Sequence, residues 1–88
     1  MARILIVDDH RISRRFMAAA LRQNGAAVKQ AATVSHALSI ALSWLPDVVV
    51  LDVRLGDDCG YDVAELLGRR WPAAVRNPDI FLLSAATA

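Results

Sequence analysis

The sequence lacks several features that would place it in a specialised class of protein. Its single cysteine, Cys59, excludes an internal disulfide and favours a reducing compartment. Every apolar run is far shorter than the ~18 residues needed to cross a bilayer. The start of the chain carries no signal-peptide cleavage pattern. Ten basic and nine acidic residues leave a net charge of +1, which argues against binding nucleic acid by bulk charge. These absences predict a cytoplasmic domain that binds neither membranes nor nucleic acid directly.

Apolar residues make up 56% of the 88 residues. This is enough for one small hydrophobic core, so we predict a single domain spanning residues 1–88. Continuous apolar runs without alternation are typical of parallel strands that are covered on both faces. Three such runs are each followed by a polar residue. A fourth, less apolar segment lies between the first and the second of these runs and is typical of a strand at the edge of a sheet. We therefore predict four strands, at Arg3–Val7, Ala26–Ala31, Val48–Leu51 and Ile80–Leu83.

Helical spacing of apolar residues separates these strands. The first helix is predicted from the spacing of Ile12, Phe16, Ala19 and Ala20 and ends at Asn24-Gly25. The second helix begins at the N-cap Thr33 and ends at Pro46. The third helix is predicted from the spacing of Val63, Leu66, Leu67 and Trp71 and ends at Pro72. The residues from Arg54 to Gly60 and from Ala73 to Asp79 are predicted to be loops. Alternating strands and helices predict βαβ units, a parallel sheet and an α/β fold.

Carboxylates and one hydroxyl follow the ends of three predicted strands. Asp8 and Asp9 follow the first strand, Asp52 the third and Ser84 the fourth. Ligands of open parallel sheets bind beyond the carboxyl ends of the strands, so these side chains are expected to converge. Clustered carboxylates without histidine or cysteine clusters favour Mg²⁺ over zinc. A carboxylate beside Mg²⁺ can also act as a nucleophile toward phosphorus.

These motifs resemble the receiver (response-regulator, CheY-like) domain of two-component signalling. The resemblance spans the whole chain and is carried by Ile4–Asp9, Arg14-Arg15, Pro46–Val53, Leu55, Gly60 and Leu82–Ala85. It implies a flavodoxin-like, doubly wound parallel sheet in the order 2-1-3-4, lacking the last helix-strand-helix portion. It also implies a phosphoprotein that takes a phosphoryl group from a histidine kinase or phosphotransfer protein by catalysing its own modification, rather than a turnover enzyme.

The resemblance also implies a role for each site residue. Asp52 would be the phospho-acceptor, and Ser84 would be the switch hydroxyl that contacts the phosphoryl group. Asp9 would bind Mg²⁺ directly and Asp8 mainly through water. Asp52 and the backbone carbonyl of Arg54 would complete the protein ligands of the metal.

The sequence departs from the family in two places. Leu55-Gly56 stands where the family usually has Met-Pro, which implies a looser loop backbone. The family continues with a helix, a strand carrying a lysine, and a further helix, whereas the only lysine here is Lys29 on the second strand. The strand Ile80–Leu83 would then have a bare edge, and we expect homodimers to form through it, by edge pairing or by exchange of C-terminal elements.

Other interpretations of these residues were weighed. His10 is either a ligand or proton shuttle beside the acids or, as we favour, a variable loop residue. A phosphohydrolase is disfavoured because no second acid stands two residues after Asp52, and a dinucleotide-binding domain because no G-x-G-x-x-G follows the first strand. A receiver-derived assembly module that no longer switches stays open as the alternative.

Overall fold

The computed structural model describes residues 1–83, which form a parallel sheet flanked by helices. The elements in chain order are β1 (Arg3–Val7), α1 (Arg11–Gln23), β2 (Ala27–Ala31), α2 (Val34–Trp44), β3 (Val48–Asp52), β4 (Arg54–Leu55), β5 (Asp58–Cys59), α3 (Gly60–Arg70) and β6 (Asp79–Leu83). The predicted strands and helices are all present, with bounds that differ by one or two residues. Ser84, which the sequence analysis assigned as the switch hydroxyl, lies outside the described residues.

The main sheet has four parallel strands in the order β2-β1-β3-β6, which confirms the predicted order. Val7 of β1 pairs with Ala31 on one side and Leu51 on the other, so β1 and β3 end side by side. β6 pairs with β3 in the register Asp52 to Leu83. This register places the end of β3 in the middle of the carboxyl edge of the sheet.

One face of the sheet carries most of the core. Its central side chains, Leu5, Val7, Val49 and Leu51, are completely buried beneath α2 and α3. Burial of a large aliphatic side chain stabilises the fold by about 1.5–3 kcal/mol, so this face contributes most of the hydrophobic stability. Among the elements of residues 1–83, only α1 covers the opposite face, through a small cluster of Ile6, Ala18 and Val28.

Helix α1 is where the apolar spacing predicted it, but its buried side chains are different ones. Ile12 is 85% exposed and Phe16 79% exposed, and Ala19 and Ala20 are also exposed. The helix instead packs through Ala18, flanked by the half-buried Met17 and Leu21. The small Ala18 side chain lets the helix backbone approach Ile6 closely, which turns Phe16 toward solvent.

The helix ends follow the sequence signals. The Thr33 hydroxyl accepts a hydrogen bond from the His36 backbone N–H at 3.2 Å and caps α2. After α1 the chain turns at Gly25, whose φ of 89° favours glycine. Trp71 ends α3, and its indole N–H donates to the carbonyls of Val75 and Arg76. That contact fixes the connection from α3 to β6.

The segment predicted as a loop after β3 contains a small antiparallel hairpin. β4 pairs with β5, Arg54 opposite Cys59 and Leu55 opposite Asp58. Leu55 is 4% exposed, and this buried side chain anchors the hairpin to the core. Within residues 1–83 no helix is long and apolar enough to span a membrane.

Candidate functional site

Three carboxylates meet at the carboxyl edge of the sheet, as the topology predicts. Asp8 follows β1 directly, and Asp52 is the last residue of the adjacent β3. Both are almost buried, at 8% and 7% exposure, whereas the Asp9 side chain is 33% exposed. Donor atoms of these three residues and of His10 all lie within 4.8 Å of one another. The site is therefore a compact cluster with one open side.

His10 belongs to this cluster, although the sequence analysis favoured a loop residue without a role. Its ring Nδ1 lies 3.3 Å from Asp8 Oδ1, 3.2 Å from Asp9 Oδ1 and 3.8 Å from Asp52 Oδ2. Its backbone N–H donates to Asp8 Oδ1 at 2.8 Å. The direct succession of Asp8, Asp9 and His10 was the one sequence signal for this contact, and it was not decisive because the ring direction depends on the turn into α1.

The backbone of the β4–β5 hairpin contacts the carboxylates. The Gly56 N–H donates to Asp9 Oδ2 at 2.8 Å, and the Arg54 N–H donates to Asp52 Oδ1 at 3.1 Å. Gly56 has a φ of 60°, a conformation that L side chains rarely adopt. The sequence analysis did not find the Gly56 contact. Residues Leu55-Gly56 therefore anchor the hairpin to the site through a backbone donor.

Two further residues, Arg14 and Gly60, contact the backbone next to the ends of β1 and β3. Arg14 reaches back from α1, and its Nη1 donates to the Asp8 carbonyl oxygen at 2.8 Å. Gly60 begins α3 directly against β3, where its N–H donates to the Val53 carbonyl at 2.7 Å. A Cβ at Gly60 would collide with the Asp52 backbone carbonyl. Only glycine lets α3 approach the end of β3 this closely.

The charges of the site are unbalanced. In the described part of the chain, the only basic side chain that lies within ion-pair distance of Asp8, Asp9 or Asp52 is that of His10. Like-charged carboxylates at this separation repel, and a divalent cation offsets that repulsion. Carboxylate oxygens are also the ligands that Mg²⁺ and Ca²⁺ prefer. The donor set therefore fits a hard divalent cation.

Comparison of the chain with known families identifies the family to which it belongs. The model of the response regulator receiver domain matches residues 4–88, nearly the whole chain. The chain belongs to the response regulator receiver family. Receiver domains of response regulators are generally non-enzymatic signalling domains that interact with histidine kinases or phosphotransfer proteins.

Individual relatives agree with the family match. The chain is 37% identical over 85 residues to the KDP operon transcriptional regulatory protein KdpE of Escherichia coli K12, covering 97% of this receiver and 36% of the relative. The non-phosphorylated HemR receiver domain from Leptospira biflexa superposes with a TM-score of 0.85 at 30% identity, covering 100% of this chain and 68% of that one. The receiver thus spans about a third of the length of this curated relative.

One solved relative was determined in complex with a metal ion. The response regulator TrrA from Thermotoga maritima, in complex with Mg²⁺ and BeF, superposes with a TM-score of 0.85 at 29% identity. The match covers 99% of this chain and 72% of that chain. The acidic cluster of the present receiver is the corresponding kind of phosphoacceptor pocket.

Proposed function

We propose that this receiver accepts a phosphoryl group on Asp52 from the phosphohistidine of a kinase or phosphotransfer protein. The observation that carries the proposal is the setting of the Asp52 carboxylate. It is nearly buried, its Oδ1 accepts a hydrogen bond from the Arg54 N–H at 3.1 Å, and its Oδ2 lies 3.8 Å from His10 Nδ1. An oriented carboxylate with one unshared oxygen is suited to attack an incoming phosphorus.

The transfer is a displacement at phosphorus. A bond forms between one Asp52 oxygen and phosphorus while the bond from phosphorus to the donor imidazole nitrogen breaks, and that imidazole keeps the electron pair and takes up a proton. The chain supplies orientation, because Arg54 and the closely packed Gly60 fix the end of β3. The assigned residues thereby catalyse the modification of their own chain, without turnover.

We assign the Mg²⁺ ligands to Asp8, Asp9, Asp52 and the backbone carbonyl of Arg54. The support is the meeting of the three carboxylates and the contact of the Arg54 backbone with Asp52. A bound Mg²⁺ would neutralise charge on the phosphoryl oxygens. Ser84 keeps its proposed role as the switch hydroxyl, and the proposed location of the protein is the cytoplasm.

Mass spectrometry after treatment with acetyl phosphate and Mg²⁺ tests the acceptor. The wild-type receiver should gain the mass of one phosphoryl group, and Asp52→Asn should gain none. Asp58→Asn is the matched control, because Asp58 is an exposed acid six positions away in the hairpin. Uptake by Asp52→Asn, or none by wild type, would contradict the assignment.

An assembly module that has lost its switch is not favoured, because the acidic pocket is intact. Self-association through β6 remains a separate proposal. In the described part of the chain β6 pairs with β3 only, and Ile80, Phe81, Leu82 and Leu83 are 37–58% exposed. An apolar strand edge with unpaired backbone groups is a template for a second copy of the same strand.

Light scattering at high micromolar concentration tests this homodimer. Wild type should have the mass of two chains, and Leu82→Lys should reduce it to one. Ala20→Lys places the same charge on the exposed side of α1 and should leave the mass unchanged. A folded wild-type monomer would rule out the homodimer without affecting the assignment of Asp52.

A further inference from the structure

We propose that His10 is a nitrogen ligand of the cation at the acidic site. It should make this receiver favour late first-row ions, such as Co²⁺, over Mg²⁺ more strongly than carboxylates alone would. The inference rests on the proposed cation binding by Asp8, Asp9 and Asp52, and it adds a donor that this assignment does not contain.

The first argument is geometric. Octahedral ligands at about 2.1 Å from an ion lie about 3.0 Å apart when adjacent and about 4.2 Å apart when opposite. His10 Nδ1 lies 3.2 Å from Asp9 Oδ1, 3.3 Å from Asp8 Oδ1 and 3.8 Å from Asp52 Oδ2. These separations lie within the range expected of donors around one ion. The distance from Nδ1 to each carboxylate is therefore one that two ligands of the same ion can have.

The second argument comes from hydrogen bonding. An imidazole nitrogen carries at most one hydrogen, so Nδ1 cannot donate to three carboxylates at once. In the structure it is within hydrogen-bond distance and angle of Asp8 only. A cation between the four donors would use all of them together.

The third argument is that the backbone of His10 is held in place. Its N–H donates to Asp8 Oδ1 at 2.8 Å, and its carbonyl accepts from the Arg14 N–H at 2.9 Å in the first turn of α1. The ring is 70% exposed and forms the open side of the cluster. A ligand held by its backbone on the open side can contact an ion without displacing the buried carboxylates.

The choice of metal follows from the donor types. Carboxylate oxygens suit Mg²⁺, whereas imidazole nitrogen suits later first-row ions, whose affinities rise along the Irving–Williams order. Adding one nitrogen to three carboxylates should therefore raise Co²⁺ affinity far more than Mg²⁺ affinity. A site of carboxylates and carbonyl oxygens alone would discriminate less.

Calorimetric titration of the full chain with Mg²⁺ alone and with Co²⁺ alone tests the inference. His10→Asn should weaken Co²⁺ binding by about tenfold or more, because loss of even an outer partner of a ligand typically costs about 10–100-fold. Mg²⁺ binding should change much less. His36→Asn is the matched control, since the only other histidine lies on α2, remote in sequence from the cluster.

A spectroscopic measurement separates ligation from a general effect on the site. The visible absorption of bound Co²⁺ should differ between wild type and His10→Asn and be the same for wild type and His36→Asn. Equal loss of Co²⁺ and Mg²⁺ affinity in His10→Asn, or an unchanged Co²⁺ spectrum, would overturn the role of His10. If wild type binds neither ion, or if Asp9→Asn binds both as well as wild type, the proposed cation site itself is wrong.

Discussion

The two faces of the sheet differ in how completely they are covered. On the face beneath α2 and α3, the central side chains of β1 and β3, such as Leu5 and Leu51, are completely buried. On the face beneath α1, Ile6 is buried, but Val50 is only partly covered and Phe81 is 58% exposed. Within residues 1–83, the first face supplies the stability and the second offers apolar surface for contacts.

The difference in coverage shows where substitutions should matter. A completely buried side chain loses its contacts and leaves a cavity when truncated, whereas an exposed one loses little. The expected effects therefore decrease from the most crowded positions of the well-covered face to the exposed side of α1.

The largest effect is expected for Leu67→Ala in α3. Leu67 is 1% exposed, and truncating such a side chain lowers the free energy of unfolding by about 2–5 kcal/mol. Urea denaturation followed by circular dichroism measures the change. Phe81→Ala on the other face is the control and should lower the free energy of unfolding much less. Equal losses at the two positions would show that the faces are equally packed.

Gly60→Ala should come next, because the added methyl group collides with the Asp52 backbone carbonyl. Overpacking of this kind typically costs about 1–3 kcal/mol, and here it also moves the strand end that carries the acceptor. Gly68→Ala is the control in the same helix. Nothing lies within 4 Å of a Cβ at Gly68, so this substitution should stabilise α3 by about 0.5–1 kcal/mol. Thermal unfolding of both variants tests this: the midpoint temperature should fall for Gly60→Ala and rise for Gly68→Ala.

Trp71→Phe should have an intermediate effect. It removes the indole N–H that donates to the carbonyls of Val75 and Arg76, at a cost of about 0.5–1.5 kcal/mol. Trp44→Phe removes an indole that is only partly buried and lies at a distant helix end, so it should cost less. A larger loss for Trp44→Phe in urea denaturation would contradict this interpretation of the connection to β6.

The smallest effect is expected for Phe16→Ser on the exposed side of α1. The Phe16 side chain is 79% exposed, so its loss should change the free energy of unfolding by no more than about 0.5 kcal/mol. Denaturation at low micromolar concentration is the measurement, with Leu67→Ala as the reference for a buried position. A loss above 1.5 kcal/mol would mean that another part of the protein covers Phe16.

The fold could be predicted largely from the sequence because its strands are continuous apolar runs between clear stop signals. The side of α1 that packs against the sheet could not be predicted in this way. The apolar residues of this helix form one broad face with Ile12 and Leu21 at its two edges and Phe16 between them, so periodicity does not select which part of that face contacts the sheet. Packing decides the face, because Ala18 is small enough to fit against Ile6 and Val28.

The candidate site likewise contains contacts that the sequence predicts and contacts that it does not. Asp8, Asp9 and Asp52 could be brought together from topology, since adjacent parallel strands end at the same edge of the sheet. The contacts of His10 and Gly56 depend on ring direction and on a positive φ in the hairpin, which residue types alone do not specify.

The hydrogen bond from the Gly56 N–H to Asp9 makes this one amide a reporter of the pocket. Its proton exchanges with solvent only when the contact to the Asp9 carboxylate opens. Events that pull Asp9 away would expose the amide, and events that hold Asp9 in place would protect it. Deuterium uptake at Gly56 therefore gives a time-resolved record of the carboxylate's position in an unlabelled chain, obtained from a backbone atom that takes no part in the chemistry.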